Sequence, residues 1–195
     1  PAAPAPPFDP WAQAERRENV LVSARLRCRD TGRSFCVSTY HMPCLFGSAE
    51  KVQVMNIHAA LAAECAEAFA DDTPYVLAGD FNIQPDSSPY EMLTRGSLPA
   101  DHPEMPPARE AVGLEWAPTR AVALRSAYFA AGGEPELTNL AVNKFSPTPF
   151  VGTLDYLFLS SEWSVSGVRD LPSRASLGVP SLPSATEPSD HLMLY

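Results

Sequence analysis

The chain has 195 residues, of which 45% are hydrophobic, so it is long enough to bury a core and its composition is that of a globular protein. Its formal net charge of −9 argues against a broad basic groove for nucleic acid, but it leaves open a phosphate substrate held through a bound divalent cation. No apolar stretch approaches the ~18 residues of a membrane span, so we expect no membrane-spanning segment.

The chain opens with a Pro/Ala-rich stretch, PAAPAPPFDP. This composition predicts that residues 1–18 are a linker or a disordered segment and that one folded domain occupies residues 19–195. Four cysteines lie at positions 28, 36, 44 and 65, and none forms a C-x-x-C pair. The pattern argues against a zinc motif of that kind and favours a reducing, intracellular compartment.

The first predicted elements are two strands followed by a long helix. NVLVSARLRC and RSFCVSTYH are joined by RDTGR, whose Asp-Thr-Gly suits a tight turn, so they predict a hairpin ending at Tyr40 and His41. Ser48 can cap a helix over residues 49–70. Five apolar residues in it recur every three or four positions, which predicts one stripe facing the core. The stripe consists of Val54, Ile57, Leu61, Cys65 and Phe69.

The second half of the chain predicts shorter elements. A strand, YVLAG, precedes the loop DFNIQPD and a short helix near residues 88–94, and residues 95–119 are expected to form a long surface segment. Short ordered segments are predicted at 124–129 and 137–140. The strand GTLDYLFLS follows, and WSVSGVRDL is expected to pair with it. Strands that alternate with a helix early and pair with each other late predict an α/β or α+β fold with a mixed sheet.

Acids, amides and histidines gather where the predicted strands end. Because polar groups at several strand ends can converge on one rim of a sheet, we expect them to form a site there. The set consists of His41, Asp80, Asn82, Asp155, Asp190 and His191.

Asp80 and Asn82 follow a buried strand in the sequence GDFN. They are two residues apart, so in an extended segment both side chains leave on the same side. Their oxygens are hard ligands that suit Mg²⁺ or Mn²⁺ rather than zinc. Alternatively, they cap backbone groups after the strand, and GDFN alone leaves both interpretations open.

A second group of polar residues is the PSDH sequence, in which Asp190 could bind a metal and His191 could act as a general base. Asp155 lies within an apolar strand, where a lone carboxylate is costly, and pairing it with His191 explains both residues. The alternative makes Asp190 a turn residue, His191 a surface residue and Asp155 a partner of backbone groups. His41 could order a loop or, when protonated, neutralise charge on a phosphate.

The segments STYHMPC, AGDFN, LTN, GTLDYLFLS and PSDHLML, in this order, resemble the endonuclease/exonuclease/phosphatase superfamily of metal-dependent phosphoesterases related to DNase I. The resemblance runs from about Val20 to Tyr195. GDFN, LTNL and LDYLFLS look most like the deadenylase-type branch, which includes the nocturnin and Angel proteins. This likeness implies an α/β (α+β) fold that is part of a four-layered DNase I-like β-sandwich flanked by helices.

The resemblance also implies catalytic roles. Asp80 and Asn82 would lie at the scissile phosphate and the nucleophile, with Asp80 also beside the metal. Asp155 would orient His191, which would be the general base, and Asp190 would lie next to the metal. The implied cofactor is Mg²⁺ or Mn²⁺.

Three further positions take substrate-contacting roles from the resemblance. His41 would contact the phosphate, although the family usually reads Thr-His-Leu where this chain reads Thr-Tyr-His-Met. Asn139 and Pro43 would lie on the nucleotide side of the pocket. The implied partner is RNA or another phosphodiester substrate, and the sequence indicates no protein partner.

One departure from the family pattern lies in the first part of the chain. Family members carry an earlier Asn after the first strand and then a Gln-Glu whose Glu is a principal metal ligand. The candidates Glu15, Glu18 and Asn19 lie beside a Pro/Ala tract and match neither. We therefore expect the chain to form the C-terminal portion of the fold, with the N-terminal portion missing. It would then be either a fragment of an active enzyme or a complete gene product with weak or no catalysis.

The favoured function is a Mg²⁺-dependent phosphodiester hydrolase, a 3′–5′ exoribonuclease of the deadenylase type. One alternative keeps the fold but acts on phospholipid, phosphoinositide or DNA, since fold does not fix substrate. Another is a non-catalytic interaction module that lacks the metal-binding Glu. The complete set of strand-end residues favours an enzyme, because a binding module has no need of that set.

Overall fold

The computed structural model describes residues 8–108, 123–143 and 146–195, with nothing stated for the side chains of residues 143, 146 and 147. The first seven residues and the end of the predicted surface segment fall outside this part of the chain. None of the helices described is long and apolar enough to cross a membrane. The helices are α1 Pro10–Glu15, α2 Ala49–Ala70, α3 Ser88–Arg95, α4 Ala127–Ala131 and α5 Arg174–Leu177.

In the described part of the chain, seven strands form two sheets. Their bounds are β1 Leu21–Arg27, β2 Ser34–Tyr40, β3 Tyr75–Asp80, β4 Arg125–Ser126, β5 Asn139–Asn143, β6 Ser146–Gly152 and β7 Asp155–Leu159. The larger sheet has the order β1-β2-β3-β7-β4, and β5 pairs with β6 in the smaller one. Among the paired strands described, β2 and β3 run parallel, and α2 forms the crossover that such a pair needs. The mixed sheet with helices confirms the α/β (α+β) fold.

The register of the larger sheet places polar residues at one end of the central strands. Asp80, the last residue of β3, lies directly opposite Asp155, the first residue of β7. Two carboxylates facing each other across antiparallel strands are destabilising unless other groups compensate them. The parallel strand β2 ends at the same edge, so His41 emerges beside Asp80.

The core lies between the larger sheet and α2. Aromatic rings of β7 and of the loop after β3 meet there: Phe81 contacts Phe158 edge-on with ring centroids 5.1 Å apart, and Tyr156 stacks on Phe158 at 5.1 Å. All three are buried. Their packing holds the β3 and β7 ends, and with them the two carboxylates, in fixed relation.

The prediction that the apolar stripe of α2 faces the core is wrong. Leu61 and Phe69 are 38% and 43% exposed, and Cys65 is exposed as well, while Val54 and Ile57 pack under Trp11 of α1. Small side chains form the face against the sheet because they allow the helix to approach the strands closely. That face consists of Met55, Ala59, Ala62, Ala63, Ala66 and Ala70.

The prediction of a linker or disordered segment over residues 1–18 is wrong for the part that the structure describes. Asp9 caps α1 by accepting hydrogen bonds from the backbone N–H groups of Trp11 and Ala12, and Pro10 occupies the first helical position. The Trp11 indole N–H donates to the carbonyl of Pro107. Burial of one large aromatic ring therefore anchors this short helix to the domain.

The expectation that WSVSGVRDL pairs with the strand before it is also wrong. The structure has no strand at residues 163–171. β7 pairs with β3 on one side, and on the other side β4 already pairs with Phe158 and Leu159, where such a hairpin would begin. The segments predicted at 124–129 and 137–140 are ordered as β4, α4 and the start of β5.

Candidate active site

The loop after β3 is a turn rather than an extended segment. Asn82 has φ = 53°, a left-handed conformation that Asn tolerates, and its backbone N–H donates to Oδ1 of Asp80 over 2.9 Å. The Asn82 side-chain amide donates to the carbonyl of Met42 over 2.9 Å. The expectation that Asp80 and Asn82 project together from an extended segment is therefore wrong. The chain turns at Asn82, and this turn is hydrogen-bonded to Met42, which follows β2.

Gly79 allows β2 and β3 to approach closely at this edge. Its φ is +143°, and a Cβ there would lie 2.1 Å from the carbonyl oxygen of Tyr40. The following turn is fixed from the same side, because the Met42 N–H donates to the Asp80 carbonyl over 2.9 Å. A residue without a side chain therefore lets His41 and Asp80 sit next to each other.

His191 and Asp155 form the hydrogen-bonded pair that the sequence predicts. Nδ1 of His191 lies 2.8 Å from Oδ2 of Asp155. Since an ionised carboxylate only accepts, it favours the tautomer with the proton on Nδ1, which leaves Nε2 as the ring's proton acceptor. That Nε2 lies 3.8 Å from Oδ2 of Asp80.

Asp80 lies between two histidines. Its Oδ2 is 3.5 Å from Nε2 of His41 as well as 3.8 Å from His191. The side chain of His41 is 74% exposed, whereas that of Asp80 is 18% exposed. The structure thus brings His41, Asp80, Asp155 and His191 to one point at the sheet edge.

The pKa shifts in the site have identifiable causes. Burial raises the pKa of Asp80, against the opposing effect of the Asn82 N–H, and nearby Asp155 raises it further. The hydrogen bond that His191 donates to Asp155 raises the pKa of His191, while partial burial opposes that rise. Burial, and then the charge of Asp80, raise the pKa of the Cys44 thiol in the cavity wall.

A cavity of about 730 Å³ opens over these residues. Asp80, Asn82 and His191 line it, together with two phenylalanines, Phe46 and Phe150. Its described lining contains three aspartates and no Lys or Arg. A phosphate would therefore meet a negative wall unless a cation is bound there.

The remaining predicted residues differ in their placement. Asn139 is buried, lines the cavity and donates its amide to the Asp190 carbonyl over 3.2 Å. Asp190 also lines the cavity. Pro43 is buried and does not line it, whereas Cys44 next to it does. His58 is buried in the core, where its Nδ1 and the Tyr40 hydroxyl are hydrogen-bonded over 2.8 Å.

The donors in the cavity suit a hard divalent cation. Asp80 and Asp190 both line the cavity, and Oδ2 of Asp80 is not engaged by a backbone N–H. Within the described parts of the chain, no cluster of three or more His, Cys, Asp or Glu side chains is placed to hold a metal. Mg²⁺ is commonly bound through one or two carboxylates with water and substrate phosphate, and these residues fit that mode rather than a closed cage.

Thr138 belongs to this site and was missed as a site residue from the sequence. It is fully buried, and its hydroxyl lies 2.6 Å from Oδ2 of Asp155. The only signal in the sequence is its position directly before Asn139 in the LTN motif.

The chain belongs to the Endonuclease/Exonuclease/phosphatase family, whose profile matches residues 4–191. It is 30% identical to human 2′,5′-phosphodiesterase 12 over 92% of this chain and 28% of that protein. It is also 30% identical to nocturnin of Drosophila melanogaster over 90% of this chain and 27% of that protein. The chain thus spans less than a third of either relative.

Solved structures share the fold. The crystal structure of ANGEL2, a 2′,3′-cyclic phosphatase, superposes with a TM-score of 0.64 at 21% identity, covering 93% of this chain and 61% of that one. The human nocturnin catalytic domain superposes with a TM-score of 0.52 at 20% identity, covering 91% and 52%. These similarities confirm the DNase I-like fold expected from the sequence.

Proposed function

We propose that this chain carries the catalytic edge of a divalent-cation-dependent phosphodiester hydrolase that acts on RNA. The observation that supports it most is the chain of contacts from Asp155 through His191 to Asp80, in which His191 and Asp80 line one cavity and Asp155 orients the histidine. If all three residues were only structural, there would be no reason for Asp80 and Asp155 to face each other across paired strands next to a cavity.

In this proposal His191 is the general base. Asp155 holds the Nδ1 proton, so Nε2 takes a proton from the attacking water as that oxygen bonds to phosphorus and the bond to the leaving oxygen breaks. Such a positioned base contributes typically ~10²–10⁴ in rate. Nε2 lies 3.8 Å from Asp80 Oδ2, so a water on the cavity side of the pair would be within hydrogen-bonding reach of both atoms.

Asp80 and Asp190 would hold the cation, which supplies charge neutralisation and Lewis-acid polarisation of the phosphate. Asp80 also keeps the water oriented through its Oδ2. Asn82 lines the cavity and donates one amide N–H to the Met42 carbonyl, and in this proposal its second N–H would contact a phosphate oxygen. His41, exposed beside Asp80, would neutralise charge on a non-bridging oxygen when protonated.

RNA is the substrate class that we favour. Phe46 and Phe150 line the same cavity as the catalytic residues, and flat aromatic rings can stack on a base. Relatives carry names that specify nucleotide substrates, among them the Ccr4 3′–5′ exoribonuclease subunits of the CCR4-Not complex. These features support a 3′–5′ exoribonuclease acting on adenylate-rich RNA, with Mg²⁺ or Mn²⁺ as the cation.

The test is cleavage of an end-labelled oligo(A) RNA in Mg²⁺ or Mn²⁺ by the wild-type chain, Asp80→Ala and a control, Asp30→Ala. Asp30 lies in the exposed turn between β1 and β2, far along the strands from Asp80. We expect stepwise shortening from the 3′ end with the wild type and the control, and loss of at least ~10²-fold with Asp80→Ala. Equal cleavage by the wild type and Asp80→Ala would contradict the proposal.

Parallel reactions with a 2′–5′-linked oligoadenylate, single-stranded DNA and a phosphoinositide identify the substrate class. Preference for either RNA linkage supports the proposal and fixes the bond that is cut. Preference for the lipid would overturn the RNA assignment while keeping the hydrolase.

A further inference from the structure

The hydroxyl of Thr138 makes three hydrogen bonds, two as acceptor and one as donor. It accepts from the backbone N–H groups of Leu154 and Asp155, over 2.9 and 3.0 Å. A hydroxyl has two acceptor lone pairs and one proton, so two accepted bonds leave the proton as its only free function. That proton points to Oδ2 of Asp155, 2.6 Å away.

The same carboxylate oxygen receives the His191 ring. Oδ2 of Asp155 lies 2.6 Å from the Thr138 hydroxyl and 2.8 Å from Nδ1 of His191, so it accepts from both. Since the threonine is anchored by two backbone groups of the strand that carries Asp155, it fixes the rotation of the carboxylate about its own backbone. The orientation of His191 is thereby tied to Thr138.

The main chain of Thr138 is hydrogen-bonded to the segment that carries His191. Its carbonyl accepts from the N–H of Leu192 over 2.7 Å, and the N–H of Leu140 donates to the Asp190 carbonyl over 3.1 Å. His191 thus lies between two backbone hydrogen bonds, one to Thr138 and one to Leu140, with Asn139 opposite it. One residue therefore holds the Asp155 side chain through its hydroxyl and the His191 segment through its carbonyl.

We propose that Thr138 is a positioning residue for the general base, acting through Asp155 on the orientation of His191. This inference rests on the proposed function. A buried threonine without such a role needs only one partner for its hydroxyl. Thr153 is the example in this chain, since it is buried and its hydroxyl donates to the Pro135 carbonyl over 2.5 Å without contacting a site residue.

The experiment compares Thr138→Val with Thr138→Ser and with the matched control Thr153→Val, using the full chain and oligo(A). Valine keeps the shape and removes the hydroxyl, whereas serine keeps the hydroxyl and removes a methyl group. We expect Thr138→Val to lower kcat about 10- to 100-fold with little change in KM, because partners of this kind are worth that much to activity. Thr138→Ser should stay within about threefold of the wild type.

Two further comparisons separate positioning from folding. In an Asp155→Ala background, Thr138→Val should lower kcat by no more than about twofold, because the carboxylate through which Thr138 acts on His191 is already absent. Thr153→Val should keep its activity even if it melts at as low a temperature as Thr138→Val. If Thr138→Val does not fold, Thr138→Cys replaces it, since a thiol is only a weak donor. Equal losses in the Ser variant and the Val or Cys variant, or independent losses in the double variant, would overturn the inference.

A measurement without turnover keeps this inference separate from the proposed function. With ¹⁵N-labelled histidine, the Nδ1–H proton of His191 is expected as a downfield signal that moves in Thr138→Val and is retained in Thr138→Ser and Thr153→Val. If the wild type folds but cleaves nothing, the proposed function fails, and this signal still decides the positioning role. A signal unchanged in Thr138→Val, or in Thr138→Cys where that variant replaces it, refutes the role.

Discussion

Asp155→Asn tests how the histidine is oriented. Thr138 and His191 both direct a proton at Oδ2 of Asp155, so in the variant the amide oxygen, which can accept, takes that position rather than the NH₂ group. The His191 tautomer is then kept and only the charge is lost. A hydrogen bond to a charged group contributes ~1.5–3 kcal/mol against ~0.5–1.5 kcal/mol for a neutral one, so the loss is about 1–1.5 kcal/mol.

That energy corresponds to a fall in kcat of roughly 5- to 13-fold. The assay is kcat/KM for oligo(A) from pH 5 to 9. Asp155 raises the pKa of His191, and the base works unprotonated, so wild-type activity falls as pH drops through the raised pKa. Without the charge, the fall should move to lower pH.

Two outcomes would refute this reasoning in different ways. An unchanged rate and pH profile would mean that the charge of Asp155 contributes nothing to the action of His191 as the base. A loss above about 10³-fold would mean that the amide has flipped and forced the other tautomer on His191, against the hydrogen bond from Thr138.

Three other predictions concern Gly79 and His58, which affect stability, and His41, which is expected to affect activity. Gly79→Ala should lower the free energy of unfolding by at least ~3 kcal/mol in urea titration, because of its φ of +143° and the clash with Tyr40, and a loss under 1 kcal/mol would contradict the close approach. Burial lowers the pKa of His58, so the unfolded chain binds more protons as pH falls below ~6.5 and the melting temperature should drop from pH 7 to 5. His58→Asn, which cannot titrate but keeps an acceptor for Tyr40, should show a shallower drop, and an equal slope would rule out His58 as the cause. His41→Ala should lower kcat about 10-fold, less than Asp80→Ala, since His41 is mostly exposed, and an equal loss would place His41 in the centre of the reaction.

Strand-end polar residues made the main part of the site predictable. Gly79 followed by Asp80 marks the end of a buried strand, and Asp155 within an apolar strand implies a partner that the structure provides in His191. These inferences need only the period of a strand and the cost of an unpaired carboxylate.

The errors come from information that local sequence does not hold. An alanine face and a Leu/Cys/Phe face both fit the helical period of α2, and the sheet selects the alanines because they pack more closely. Residues 163–171 have strand-like composition, but pairing also needs a free edge, and β4 already pairs with Phe158 and Leu159 at the end of β7. Thr138 could not be identified because a neutral threonine has no charge whose burial demands a partner, as the carboxylate of Asp155 does.

The most direct measurement is single-turnover hydrolysis of oligo(A) RNA at saturating Mg²⁺ by the wild-type chain and by His191→Ala. Circular dichroism establishes that both are folded. We predict a rate constant lower by ~10²–10⁴-fold in the variant, with unchanged RNA binding, because only the proton acceptor is removed. Equal rate constants in two folded proteins would contradict the assignment of His191 as the base and, with it, the proposed reaction at this sheet edge.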